Sequence, residues 1–222
     1  KSIPHQGFAS TINLGVENAI SDIVICLNTD VIPEKNFIDP LLKHFEDQKV
    51  FAVGCMDISF ENKNITERGR GLAGWHKGFF IHQRGEVNKT DTAWVSGGSG
   101  AFRKNIWLKL GGMDKIYNPF YWEDIDLSYR ALKAGFKLYF EAKSVVKHYH
   151  LTGKIKSLYS ENFVKLISYR NQFIFIWKNL SDIKIILLHL VWLPIRILQS
   201  LLSGDPLLLV GFLLAILKIP NI

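Results

Sequence analysis

Ile23-Val24-Ile25-Cys26-Leu27, entered from Asp22 and left through Asn28-Thr29-Asp30, is the stretch on which the fold turns. It is short, apolar throughout and rich in β-branched side chains, and it ends in residues that favour a turn. Such a run predicts a buried strand of the parallel type. Upstream, Phe8 to Ile20 places Ala9, Ile12, Val16, Ala19 and Ile20 at helical spacing, and downstream Pro33 predicts the start of a second helix reaching about His44. Val50 to Ile58 predicts another strand, and Thr92 to Ser96 a third before the turn Gly97-Gly98-Ser99-Gly100. Trp122 to Ala134 has a helical pattern stopped by Gly135, Phe136 to Phe140 and Ser144 to His148 predict short strands, and Ser160 to Asn179 a longer helix. Helices alternating with strands argue for an α/β sheet, whose ligands sit beyond the carboxyl ends of the strands. Asn28 to Asp30 stands at such an end.

The chain of 222 residues has room for one sizeable core plus an appendage. Its formal charge of +7 suits an anionic partner. Basic residues crowd the approach to the apolar C-terminus (Lys143, Lys147, Lys154, Lys156, Lys165, Arg170, Lys178, Lys184), a pattern matching a cytoplasmic membrane surface. No zinc finger or RNA-binding aromatic signature accompanies the charge, so nucleic acid is not the expected partner. Cys26 and Cys55 lie in strand-like apolar runs and read as core hydrophobes.

Two segments carry chemistry. Tyr121-Trp122-Glu123-Asp124-Ile125-Asp126 sets three acids at the predicted start of a helix. A helix N-terminus welcomes an acid, but three exceed that need. Aromatic neighbours such as Trp122 would lower the local dielectric and tune a carboxylate into a general base. Asp30, at a strand end, is placed to ligate a divalent cation, although Asn and Asp there also simply form turns.

Gly7-Phe8-Ala9, Asn13-Leu14-Gly15, Leu27-Asn28-Thr29-Asp30, Gly97-Gly98, Gly112-Met113-Asp114, Trp122-Glu123-Asp124-Ile125-Asp126, Val146-Lys147-His148 and Tyr169-Arg170-Asn171 follow one another in the order of family-2 glycosyltransferases. The chain resembles those enzymes from about Gly7 to Asn179, and most closely the rhamnosyl- and galactofuranosyl-transferase-like members that build bacterial surface polysaccharides. The resemblance implies a GT-A fold: a Rossmann-like, mixed, mostly parallel sheet flanked by helices. Since Lys1 to Gln6 lead straight into a helix, the expectation is a sheet without its N-terminal strands.

The resemblance also implies roles. Asp30 and His148 would hold Mg²⁺ or Mn²⁺, with His150 as the competitor for the histidine position, and Asn28 would contact the donor nucleotide. Asp124 would be the catalytic base, with Glu123 and Asp126 holding it in place or, for Asp126, touching the acceptor. Trp94, Gly97, Gly98 and Trp122 would line the acceptor side, and Arg170 would approach the donor diphosphate. The implied reaction is inverting transfer of a sugar from a nucleotide-sugar to a saccharide or lipid-linked saccharide. The alternative is a non-catalytic, membrane-associated binding module. Residues 1–180 are expected to form the catalytic domain and 181–222 an apolar helical tail. The tail reads as two runs, Ile185 to Leu193 and Leu207 to Leu217, broken at Pro194, each shorter than the roughly 20 residues a spanning helix needs. Contact with the cytoplasmic face of the membrane is expected, a second subunit being the alternative cover. Trp75-His76 is expected in a loop or helix, serving packing.

Overall fold

The computed structural model describes residues 7–61, 64–149 and 158–221. In chain order its elements are α1 (Phe8–Asn18), β1 (Ile23–Leu27), β2 (Val31–Pro33), α2 (Ile38–His44), β3 (Val50–Glu61), β4 (Asn64–Arg68), β5 (Gly71–His76), β6 (Phe79–Arg84), β7 (Ser99–Arg103), α3 (Lys104–Lys109), α4 (Glu123–Lys133), β8 (Lys137–Tyr149), α5 (Glu161–Asn179), α6 (Ile183–Leu202) and α7 (Leu207–Ile216). The chain divides into two compact units, the first comprising Lys1–Leu72, Gln83–Lys115 and Glu123–Gly153, the second Ala73–His82, Ile116–Trp122 and Lys154–Ile222. The unit that holds the apolar tail therefore also takes in α5 and two earlier segments.

The first unit is built on a sheet with strand order β1-β7-β3-β8-β2 and with β4 paired to β3. This is the mixed α/β sheet that the sequence implies. Its parallel ladder is concentrated in β3 and β8, and the pairings β1–β7, β3–β7, β2–β8 and β3–β4 are antiparallel. β1 departs from expectation, being an antiparallel strand at one end of the described sheet and largely half-buried. Its unbroken apolar run has another cause: Val24 and Cys26 join the core formed with α1, α3 and α4, while Ile23, Ile25 and Leu27 pack with α2 on the opposite face. Both faces are covered, so both sets of side chains are apolar.

Three boundaries also differ. Pro33 closes β2 instead of opening a helix, at a sheet end where its missing N–H costs no ladder bond. Thr92 to Ser96 is not a strand; the Thr92 hydroxyl accepts from the Gly71 N–H (3.0 Å) and donates to the Trp94 carbonyl (2.8 Å), replacing part of a ladder with a side chain. Ser99 and Gly100 begin β7, where a Cβ on Gly100 would meet Val95 Cγ1 at 2.4 Å, so only glycine allows that approach. The two short strands expected after α4 are one, β8, whose register against β3 jumps between Cys55–Glu141 and Met56–Val145.

In the second unit, Trp75-His76 belongs to strand β5, and the hairpin to β6 turns at Lys77 (φ 51) and Gly78 (φ 76), the type I′ pattern. The Gly78 carbonyl accepts from His189 Nδ1 (2.8 Å), and the Trp177 indole donates to His189 Nε2 (3.2 Å), which assigns the ring proton to Nδ1. Phe173 packs against Phe79, Trp177 and Phe212 to make an aromatic core. Pro194 does not end the first apolar run; it lies inside the single helix α6. That helix has 20 residues, reaches a mean hydropathy of 1.9 over an 18-residue window and is long and apolar enough to cross a membrane, which corrects the expectation of two short runs.

Candidate active site

β1 delivers the chain to Asn28, and a turn closed by the Val31 N–H on the Asn28 carbonyl (3.1 Å) presents Asp30 before β2 begins. β2 pairs with the far end of β8, setting Val31 opposite His148. Asp30 Oδ1 consequently lies 3.3 Å from His148 Nε2. On its other side the imidazole meets a residue that sequence reading passed over: His148 Nδ1 is 2.9 Å from Asp57 Oδ2. Asp57 is buried in β3, and its second oxygen accepts from the Ser59 hydroxyl at 2.8 Å. The signal was present in the strand Met56-Asp57-Ile58-Ser59, where two polar residues at i and i+2 share one face.

This chain of contacts fixes how the imidazole is used. A proton on Nδ1, donated to Asp57, leaves the Nε2 lone pair facing a carboxylate oxygen of Asp30. Two such acceptors at that separation call for a positive charge between them, either a proton or a cation. Burial alone would lower the His148 pKa, but the Asp57 and Asp30 carboxylates outweigh it and raise the value above that of an ordinary imidazole. Among the described residues no cluster of three or more His, Cys, Asp or Glu side chains forms a complete cage. Asp30 and His148 thus offer one edge of a coordination sphere. That fits a hard divalent cation completed by substrate and water oxygens. His150 lies outside the described residues.

Asp124 stands in the first turn of α4, where its Oδ1 accepts from the Ile125 N–H at 2.8 Å. Burial pushes its pKa up to about 6, while backbone N–H groups of Ile125, of Asp124 itself and of Gly97 pull it back. The Gly97 N–H matters for a second reason. The next residue, Gly98, accepts through its carbonyl from the Asn28 N–H at 2.9 Å, and a Cβ on Gly98 would meet the Asn28 amide at 2.4 Å. The Gly97-Gly98 turn is therefore wedged between the Asp30 turn and Asp124, and a side chain at either glycine would have to displace a neighbour: on Gly97 a Cβ would meet Met113 Cε at 2.6 Å, and on Gly98 it would meet the Asn28 carboxamide.

Other residues have structural work. Asp126 is fully buried and accepts from Arg130 Nε (2.7 Å); the same guanidinium donates to the carbonyls of Leu110 and Gly112. Asp126 thus has no exposed surface to offer an acceptor. Glu123 is buried beside it in sequence at the helix start. Arg170 Nη2 donates to the Asn118 carbonyl (2.6 Å), within the second unit. Trp122 is 3% exposed, edge-on to His82 and packed on Phe175, so it offers little surface to a substrate. Trp94 is half-buried, with its ring so close to Gly71 that a Cβ there would lie 2.4 Å from it. The Asn13 and Gly112-Met113 motifs meet: the Asn13 carboxamide accepts from the Met113 N–H (2.9 Å) and donates to the Met113 carbonyl (2.7 Å).

Comparison with known proteins bears on the family and the fold. The family model described as "Glycosyltransferase like family 2" matches residues 3–163. The pre-mycofactocin glycosyltransferase of Mycobacterium tuberculosis is 29% identical over 153 residues, 67% of this chain and 32% of that protein. The O-antigen chain rhamnosyltransferase WbaN of Salmonella anatum is 26% identical over 133 residues, 59% of this chain and 42% of that protein. The chain thus spans between about a third and about half of the length of the curated relatives it matches. Among solved structures, GalNAc-T7 with UDP, GalNAc and Mn²⁺ superimposes with a TM-score of 0.60 at 16% identity, covering 79% of this chain and 35% of the other, which establishes the GT-A fold. With its model matching well over half of the residues, the chain belongs to glycosyltransferase like family 2.

Proposed function

We infer that the chain carries the catalytic centre of an inverting, divalent-cation-dependent glycosyltransferase, which moves a sugar from a nucleotide-sugar to a saccharide or lipid-linked saccharide at the cytoplasmic face of a membrane. The observation that carries this reading is the wedge of Gly97-Gly98 between the Asp30–His148 pair and Asp124. A place for a cation and a carboxylate with a raised pKa are held by one turn.

Asp124 is the base. With a pKa of about 6 it is ionised at neutral pH yet basic enough to accept a proton from a hydroxyl in the transition state. The acceptor oxygen attacks the anomeric carbon as its proton passes to Asp124, and the bond from that carbon to the diphosphate oxygen breaks on the opposite face. A cation held by Asp30 and His148 would neutralise charge on the departing diphosphate. Asp57 orients His148, as carboxylates commonly do for metal-binding imidazoles. Asn28 is placed to reach the nucleotide from the same turn. Support for the cation also comes from GalNAc-T7, solved on this fold with UDP and Mn²⁺. The O-antigen chain rhamnosyltransferases among the relatives support an acceptor of the surface polysaccharide or glycolipid class.

The test is calorimetric titration of UDP, GDP and dTDP into the chain with Mn²⁺ and with EDTA. One nucleotide should bind only with Mn²⁺, and His148→Ala should weaken Mn²⁺ binding at least tenfold. Absence of metal-dependent binding in a folded sample would reject the catalytic reading in favour of a membrane-associated binding module.

A further inference from the structure

A cleft of about 440 Å³ lies wholly within the second unit, between Tyr121 and the N-terminal half of α5. Its walls are aromatic. Tyr121 and Tyr159 both line it, and buried Phe120 stands edge-on to each, with ring centroids 5.0 and 5.2 Å away. Tyr159 is further stacked on Phe163 at 5.1 Å. The two phenol rings are thus set on a shared support.

Tyr121 is held there against its backbone preference. It has φ 70, and Trp122 after it has φ 79, a left-handed pair in side chains that rarely adopt it. Asn171, with no exposed surface, donates from Nδ2 to the carbonyls of Tyr117 (2.7 Å), Phe120 (2.9 Å) and Tyr121 (2.9 Å). That clamp secures the strained backbone and leaves Tyr121 42% exposed.

The charges of the cleft decide what it can take. Lys165 is a lining residue, but its Nζ is engaged by Asp205 at 2.7 Å, and the same carboxylate oxygen accepts from the Tyr169 hydroxyl at 3.0 Å. Glu161 adds a negative charge. Among the described lining residues no surplus positive charge remains for a phosphate. Ser168 and the Tyr159 phenol are neutral hydrogen-bonding groups beside apolar ring faces. A pyranose has this form, with one C–H face and a rim of hydroxyls.

We propose that this cleft is a binding subsite for a neutral pyranoside unit of the acceptor glycan, with Tyr121 and Tyr159 as its stacking platform and Lys165, Ser168 and Tyr169 as its polar edge. The assignment rests on the glycosyltransferase reading for the word acceptor, and on the cleft alone for the sugar. Pocket size agrees, since small-molecule sites commonly enclose about 300–1,000 Å³.

The experiment is heteronuclear NMR of the full chain titrated with methyl pyranosides of rhamnose, galactose, mannose, glucose and N-acetylglucosamine, and separately with UDP, GDP and dTDP plus Mn²⁺. At least one pyranoside should shift the amides of Tyr159, Lys165 and Tyr169. Tyr159→Ala should weaken that pyranoside at least tenfold while Tyr159→Phe retains it, and Val164→Trp, which fills the cleft without removing a platform ring, should abolish it. No shift with any pyranoside, or a shift indifferent to both Tyr159→Ala and Val164→Trp, would overturn the proposal, as would a nucleotide perturbing these amides in place of a sugar. Pyranoside binding without metal-dependent nucleotide binding would retain the subsite and remove only the catalytic reading.

Discussion

In the role proposed for it, Asp124 would serve chemistry at a cost in stability. Its pKa is about 6 in the folded chain against an ordinary 3.8, because burial penalises the charged form. On acidification the folded state takes up this proton before the unfolded state does. The penalty is therefore complete above pH 6, shrinks as pH falls from 6 toward 4, and is absent below that. The difference corresponds to roughly 3 kcal/mol as an upper bound. Asp124→Asn should raise the midpoint of thermal unfolding at pH 7 and leave it nearly unchanged at pH 4, as measured by calorimetry. The same substitution should lower kcat by at least a thousandfold while nucleotide affinity stays within a factor of about three. In the unsubstituted chain the acid limb of kcat against pH should break near 6. A break near 4, or an Asp124→Asn variant that keeps full activity, would remove the base assignment. Asp124 stands out in its sequence context, whereas Asp57 leaves only the weak signal of polar residues at i and i+2 in a largely apolar strand, its partner His148 being 91 positions away.

At the scale of elements, the loop 117–121 depends on a residue of α5. Asn171 satisfies three carbonyls of that loop and is wholly buried. Asn171→Asp keeps the shape but turns donors into acceptors against those carbonyls, so it should cost roughly 2–4 kcal/mol in urea unfolding. Amide exchange should accelerate first in residues 117–122; a change below about 0.5 kcal/mol with unaltered exchange would show that the loop is held by packing alone. The helices α1, α4 and α5 were readable because each carries apolar residues at helical spacing, and Ser160 caps α5 by accepting from the Phe163 N–H. β4, β5 and β6 were not. Asn64-Ile65-Thr66-Glu67-Arg68 is mostly polar, and Gly71-Leu72-Ala73-Gly74 lacks β-branched residues, so pairing with neighbours, not local preference, makes them strands. Gly97 and Gly98 were readable as a turn, but their wedging role follows from contacts far apart in sequence.

For the molecule as a whole, the largest imbalance is apolar surface left in water. Along α6, Ile183, Leu187, Leu190, Val191, Leu198 and Leu202 are each more than half exposed, at spacings that place them along one stripe. His189, on the other side of the helix, is buried and bonded to Gly78. A helix of 20 residues carries such a stripe for about 30 Å, beyond the scale of ordinary surface patches. Because the opposite side is occupied by protein, the stripe suits a helix lying in the membrane interface more than one surrounded by lipid. Lys178, Lys184 and Lys218 on the same C-terminal stretch, with the overall charge of +7, favour anionic headgroups at about 1 kcal/mol for each residue near the surface. The chain should therefore sediment with vesicles containing phosphatidylglycerol and much less with purely phosphatidylcholine vesicles, and about 0.5 M salt should weaken but not abolish capture, since the apolar stripe is not screened. Leu187→Glu with Leu190→Glu should release the protein from both while leaving metal-dependent nucleotide binding intact. Equal partition of that double variant and the unsubstituted chain would mean the stripe meets another protein surface, and the oligomeric state in solution would then be the quantity that changes.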